Sequence, residues 1–188
     1  MSHTDVDPVQ TILDLFQARG TSEYGGEAVT QEEHALQAAA CAMADGGNDA
    51  LVAAALLHDI GHLLHDLPDD APDEGVDDHH ENSGAAFIDA HFGPEVYEPV
   101  RLHVAAKRYL TAVEPDYMAK LSEPSITSLM LQGGPMSDAE QATFRANPHW
   151  EAAVRLRRYD DEAKVPGAKT PAVADFADLL RRLVKLVK

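Results

Sequence analysis

The sequence predicts an all-α protein, folded as one domain over residues 1–188. Three observations point there. Helix start signals recur: Thr30 with Glu33, and Ser137 with Glu140, have capping-box spacing, and each opens a helical run. No stretch of useful length alternates apolar and polar residues as a half-buried strand does. Gly20, Gly46-Gly47, Gly93-Pro94 and Gly133-Gly134-Pro135 fall between helical runs rather than inside them.

In chain order, Pro8–Arg19 reads as an amphipathic helix with Val9, Ile12, Leu13, Leu15 and Phe16 on its apolar side. A loop over Gly20–Thr30 follows, and its paired Gly25-Gly26 permit movement. The helix begun at Thr30 runs to about Asp45 and carries His34. Asp49 is read as the cap of the next helix, an alanine-rich apolar run that delivers His58 and Asp59. Leu67–Asp78 is rich in Asp, Glu and Pro. Its simpler account is a solvated acidic loop, and its alternative is a lid. Helices are expected over His80–Phe92, Glu95–Leu110, Ser122–Leu131 and Ser137–Ala146. Two more run from Pro148 through Ala163 and over Pro171–Val187.

Composition narrows the function. With 188 residues, 45% of them hydrophobic, the chain can bury a sizeable core. A net charge of −17 argues against nucleic-acid binding, which calls for a basic face. No run reaches the roughly 20 apolar residues of a membrane span, and no secretory signal is visible. A single cysteine, Cys41, excludes an internal disulfide and fits a reducing cytoplasm. The expected partners are small molecules.

Polar residues embedded in the apolar helices carry the chemistry. They are His34, His58, Asp59, His80, His103 and Asp160. An isolated His-Asp pair is most simply a satisfied pair at the end of a core helix. Four imidazoles and two carboxylates together suit a dinuclear transition-metal site, with Asp59 placed to bridge. Lys107 lies four residues past His103, and Arg157 three before Asp160. Each pair shares a helix face, so both cations project toward the expected ligands. Arg108, Arg155 and Arg158 fall on other faces. His3, His65, His91 and His149 lack such a context.

The order His34, His58-Asp59, Asp160 resembles the HD-domain superfamily of helical metal-dependent proteins. A narrower resemblance covers nearly the whole chain. It rests on Tyr24-Gly-Gly-Glu27, Gln31-Glu-Glu-His34, Leu56-Leu-His-Asp-Ile-Gly-His62, His103-Val-Ala-Ala-Lys-Arg-Tyr-Leu110, Gln132-Gly-Gly-Pro-Met136 and Arg157-Arg-Tyr-Asp-Asp-Glu-Ala-Lys164. These segments are similar to the HD-domain mixed-valent diiron oxygenases that split the carbon–phosphorus bond of 1-hydroxyalkylphosphonates.

The resemblance implies two iron ions, Fe(II)/Fe(III). His34, His58, Asp59 and Asp160 would hold one, and His80, His103 and the bridging Asp59 the other. Family pattern selects Asp160 over Asp161 and His80 over His79. Lys107, Ser125, Gln132 and Arg157 would contact the phosphonate, with His62 a further polar contact. Tyr24 and Glu27 would be the mobile pair, Tyr24 occupying an iron position until substrate displaces it. The implied reaction uses dioxygen to convert a 2-(amino or trimethylammonio)-1-hydroxyethylphosphonate into glycine or glycine betaine plus phosphate. The alternatives are a metal-dependent phosphohydrolase of a phosphate ester using the same ligands, and a nucleotide-sensing or scaffold protein without catalysis.

Overall fold

A computed structural model describes residues 7–64 and 80–185. These residues form ten α-helices and two short 3₁₀ turns, with only isolated β-bridges. The acidic stretch read as loop or lid, together with His3, His65 and His79, lies outside the described residues.

Local signals account for most helix starts. α1 (Pro8–Arg19) is capped by Asp7, whose carboxylate accepts from Val9 N. α2 (Gln31–Ala44) has the full Thr30–Glu33 capping box. α3 (Asp49–Leu57) departs from expectation at its first residue: Asn48 is the cap, accepting from Leu51 N at 2.9 Å, and Asp49 already belongs to the helix.

α3 also ends earlier than its apolar run does. It stops at Leu57, the chain turns through His58 and Asp59, and α4 (Ile60–Leu64) begins. Ala50 through Leu57 are all buried, so α3 is wrapped on every side, chiefly by α2 and by the later α6 (Pro94–Val113), α9 (Trp150–Glu162) and α10 (Ala177–Leu183). The His-Asp pair therefore sits at a helix junction in the middle of the molecule.

α5 (His80–Asp89) crosses α4 at two glycines. A Cβ on Gly61 would collide with the backbone carbonyl of His80, and Gly84 lies against the Gly61 backbone. α7 (Glu123–Leu131) is capped by Ser122, and α8 (Asp138–Arg145) by the Ser137–Glu140 box. Met118–Lys120 forms a 3₁₀ turn that no sequence signal announces. The final helix expected over Pro171–Val187 is shorter. Val173–Phe176 is a 3₁₀ turn, α10 spans Ala177–Leu183, and Val184 then bridges to Phe92. Val173, Phe176 and Leu180 still bury their side chains, so the apolar pattern was a packing signal across a broken helix.

Two apolar clusters form the core. The larger joins Ile12, Leu56, Ile60, Ile88, Leu156 and Leu180. The smaller joins Leu110, Tyr117, Leu129 and Phe144. α6 and α9 pack along each other and contribute to both clusters, so ligands carried on them are rigidly placed.

Candidate metal centre

The junction after α3 shapes the first ligands. His58 is the C-terminal cap of α3, and its Nδ1–H donates to Ala55 O at 2.8 Å. That bond satisfies a terminal helix carbonyl and leaves the Nε2 lone pair facing inward. His34 on α2 is fixed in the same way, Nδ1–H donating to Ala163 O at 2.9 Å. On α6, His103 Nδ1–H donates to Val100 O at 2.6 Å. A backbone carbonyl that accepts one ring N–H and so turns the other nitrogen inward is the usual support of a metal-ligating histidine.

The inward nitrogens converge. His34 Nε2 and His58 Nε2 are 3.1 Å apart. Asp59 Oδ2 lies 3.2 Å from His58 Nε2 and 3.5 Å from His34 Nε2, and Asp160 Oδ1 lies 3.5 Å from His34 Nε2. The other Asp59 oxygen, Oδ1, faces a second pair: His80 Nε2 and His103 Nε2, each at 3.4 Å. Those two nitrogens are 3.3 Å apart. Asp59 Oδ1 is buried and has no hydrogen-bond partner among the described residues.

With both Nδ1 atoms committed as donors, His34 and His58 direct lone pairs at each other and at two carboxylates. A bound cation satisfies that arrangement. Donors about 2.0–2.2 Å from one ion lie roughly 3–3.5 Å from one another, the spacing found in both groups. The donor set therefore fits two metal ions with Asp59 between them. Burial alone would lower the His58 imidazole, but Asp59 and Asp160 outweigh it and raise its pKa to about 9. A metal ion and that proton compete for the same nitrogen.

All six expected ligands are thus in one buried cluster: His34, His58, Asp59, His80, His103 and Asp160 are at most 9% exposed. Asp160, not Asp161, faces the histidines. Asp161 instead pairs with Arg157 and accepts from Tyr117. His62 stacks on the His80 ring, centroids 4.0 Å apart, and stands with Asp59 and His80 in a further ligand-capable group.

Around the cluster, Tyr24 stacks on the His34 ring at 3.7 Å and donates to Asp160 Oδ1 at 3.4 Å. Burial, with Asp160 and Asp59 close by, holds its phenol pKa well above the ordinary value. Its loop turns through Gly25 and Gly26, both at positive φ as their expected freedom requires. Glu27 accepts from Lys164 Nζ at 2.8 Å and from Ser122 Oγ. Burial works against its charge, but Lys164 and Ser122 hold the carboxyl below its usual range.

The expected anion contacts are differently engaged. Lys107 is 3% exposed and donates to Ser128 Oγ at 2.7 Å. Burial, reinforced by Arg157, lowers its pKa to about 7. Arg157 pairs with Asp160 Oδ2 at 2.7 Å and with Asp161, and also donates to Tyr117 OH at 3.3 Å. Ser125 Oγ accepts from Lys164 at 3.0 Å. Gln132 Oε1 is buried without a partner among the described residues. Its turn is docked on α6: Arg108 Nε donates to Gly134 O at 2.8 Å, and Met136 N to Arg108 O at 3.1 Å. The strings His103–Leu110 and Gln132–Met136 quoted above meet there.

Arg155 and Arg158 pair with Asp45 and Glu114, away from the cluster. His91 packs on Phe87, and His149 stands at the N-terminal boundary of α9 without a side-chain capping bond. Sequence reasoning missed Gly61, Tyr117, Ser128 and Lys164. Gly61 and Lys164 stood inside quoted strings, yet their partners lie on other elements, where spacing gives no signal.

A helical domain with an adjacent His-Asp pair at a junction, ringed by inward imidazoles, defines a class. The chain belongs to the HD-domain family, whose model matches residues 32–146. That match ends before α9, although α9 brings Asp160 to the cluster. Among characterised relatives, the chain is 46% identical over 177 residues to the hydroxymethylphosphonate dioxygenase of Gimesia maris, covering 94% of this chain and 88% of that protein. It is 42% identical over 176 residues to the [1-hydroxy-2-(trimethylamino)ethyl]phosphonate dioxygenase (glycine-betaine-forming) of Leisingera caerulea, covering 94% and 90%. An uncharacterised protein of Acanthamoeba polyphaga mimivirus is 35% identical over 162 residues, covering 85% and 74%.

Proposed function

We propose that this protein is a non-haem diiron oxygenase that uses dioxygen to cleave the carbon–phosphorus bond of a 1-hydroxyphosphonate. Its substrate in this reading is a 2-(amino or trimethylammonio)-1-hydroxyethylphosphonate, and its products are glycine or glycine betaine and phosphate. One observation carries the reading: Asp59 turns one oxygen to His34 and His58 and the other to His80 and His103. Relatives that share over two-fifths of their residues with this chain are named as phosphonate dioxygenases, which favours oxygen chemistry over hydrolysis.

The iron pair, when bound, supplies Lewis acidity, a template for substrate oxygens and the redox capacity to use dioxygen. The chain's own residues do the rest. His34, His58, Asp59 and Asp160 would hold one ion, and His80, His103 and Asp59 the other. Lys107 meets the phosphonate dianion, whose charge draws a proton onto the buried amine. Arg157 keeps Asp160 ionised and oriented, and offers its remaining donors to the phosphonate. The orphaned Gln132 Oε1 accepts from the substrate hydroxyl. Ser125 and His62 complete the polar wall. Tyr24 covers His34 and Asp160 until substrate displaces it. A cytoplasmic setting belongs to the same reading, supported by the single free cysteine, Cys41.

The test is phosphate release by iron-loaded protein from three compounds: the amino, trimethylammonio and unsubstituted 1-hydroxyphosphonates. Release is expected in air and absent without oxygen. No release from any of them sinks the proposal. Anaerobic turnover of a phosphate ester, with Mg or Mn restoring activity, supports the phosphohydrolase instead.

A further inference from the structure

Lys164 has no role in the reaction outlined above, yet its ammonium meets three polar side chains around the site. It follows α9, four residues beyond Asp160, and its side chain is 14% exposed. Its ammonium donates to Glu27 Oε1 at 2.8 Å, Ser125 Oγ at 3.0 Å and Ser122 Oγ at 3.3 Å. It also lies 5.9 Å from the centre of the Tyr24 ring. One group thus ties together the exit of α9, the first turn of α7 and the loop before α2.

The two sides of this tie are unequally anchored. The α9 exit is fixed to α2. Ala163 O accepts from His34 Nδ1, Val165 N donates to Gln37 Oε1, and Gln37 Nε2 donates back to Val165 O. The loop is closed at its base by Tyr24 N to Val29 O and Gln31 N to Ser22 O. At its tip Glu27 N donates to Tyr24 O at 2.7 Å across Gly25-Gly26, a Cβ on Gly26 would meet Pro124, and Gly25 faces open space. Glu27 is the tip's side-chain anchor, and both Lys164 and Ser122 bind the same oxygen of it. Glu27 and Lys164 are only 16% and 14% exposed, so solvent and salt screen the pair less than a surface one.

We propose that Lys164 is a positioning residue: its ammonium latches Glu27 and thereby holds Tyr24 over the histidine–aspartate cluster. Substrate entry then requires the latch to yield, because Tyr24 covers His34 and Asp160. This rests on the functional reading above only for its kinetic consequence. A ligand that binds the open loop binds more weakly by the fraction of time the loop is open. Removing the latch raises that fraction. The Michaelis constant for the phosphonate falls, while turnover at saturation, where the loop is already open, stays the same.

The experiment uses full-length, iron-loaded protein with Lys164→Met, Lys164→Arg and the milder Ser122→Ala. Amide hydrogen exchange is followed over residues 21–30, together with the rate at which a chelator strips iron. Lys164→Met is expected to raise both about tenfold and to lower KM several-fold with kcat within twofold. Lys164→Arg restores wild-type behaviour, and Ser122→Ala shifts all readouts the same way by less. Unchanged exchange over 21–30 in a folded Lys164→Met protein overturns the latch, and so does faster exchange with unchanged or higher KM. If wild-type protein turns over no phosphonate, the functional reading fails, while exchange and chelator rates still decide the latch.

Discussion

Asp59 is the residue on which both halves of the site depend, because each of its oxygens serves a different histidine pair. Asp59→Asn keeps the shape and removes the charge between the two positions. Bound metal is expected to fall from two ions per chain to well under one, with the circular dichroism of the helices unchanged. Asp160→Asn should retain at least one ion, because His80, His103 and Asp59 are untouched. Metal analysis of the two purified variants decides this. Lys107 yields a pH prediction. Its ordinary pKa is 10.5, and burial beside Arg157 holds it at about 7. Between those values the unfolded chain carries a proton that the folded protein lacks. Its contribution to stability therefore rises with pH through that window and is least favourable below 7. A bound dianion reverses the shift. At pH 8, binding of inorganic phosphate should take up about one proton, read by calorimetry in buffers of different ionisation enthalpy. Lys107→Met should take up none.

At the scale of elements, the crossing of α4 and α5 delivers His80 to Asp59, and Gly61 makes the crossing possible. Any side chain there meets the His80 carbonyl, which is backbone and cannot rotate away. Overpacking of this kind costs about 1–3 kcal/mol where side chains can adjust, and more against backbone. Gly61→Ala should therefore displace α5, lower the melting temperature and weaken one metal position, leaving the His34–His58 position occupied. Full occupancy of both positions would contradict this. The same crossing marks the limit of what sequence reveals. Thr30–Glu33 and Ser137–Glu140 were legible because a capping box is complete within four residues. His34, His58, Asp59 and His103 were legible because polar side chains in apolar helices need partners, whereas His80 and Asp160 were told from their neighbours only by the family resemblance. Asn48 and Asp49 are both good caps, and only backbone geometry chooses Asn48. The break before Ala177 was hidden because apolar spacing continues through it. Gly61 and Lys164 were invisible as site residues because their partners are brought to them by packing.

For the molecule as a whole, the cluster is where five separate pieces of chain meet: α2, the α3–α4 junction, α5, α6 and α9. Buried imidazole lone pairs and carboxylate oxygens face one another there, and Asp59 Oδ1 has no hydrogen-bond partner among the described residues. The core around them is apolar and cannot compensate. Metal that binds only the assembled site stabilises it by mass action, about 4 kcal/mol when free metal exceeds its dissociation constant a thousandfold. In a chain of this length each kcal/mol moves the melting temperature by roughly 2–4 °C. Stripping both ions, each bound at that excess, should therefore lower the melting temperature by roughly 16–32 °C, read by differential scanning calorimetry with and without chelator. Asp59→Asn should start near the stripped value and respond little to chelator, because it has little metal to lose. A wild-type protein whose melting point ignores the chelator would mean that protons, not metal ions, reconcile these lone pairs. The stability link between the five elements would then have to lie in packing alone.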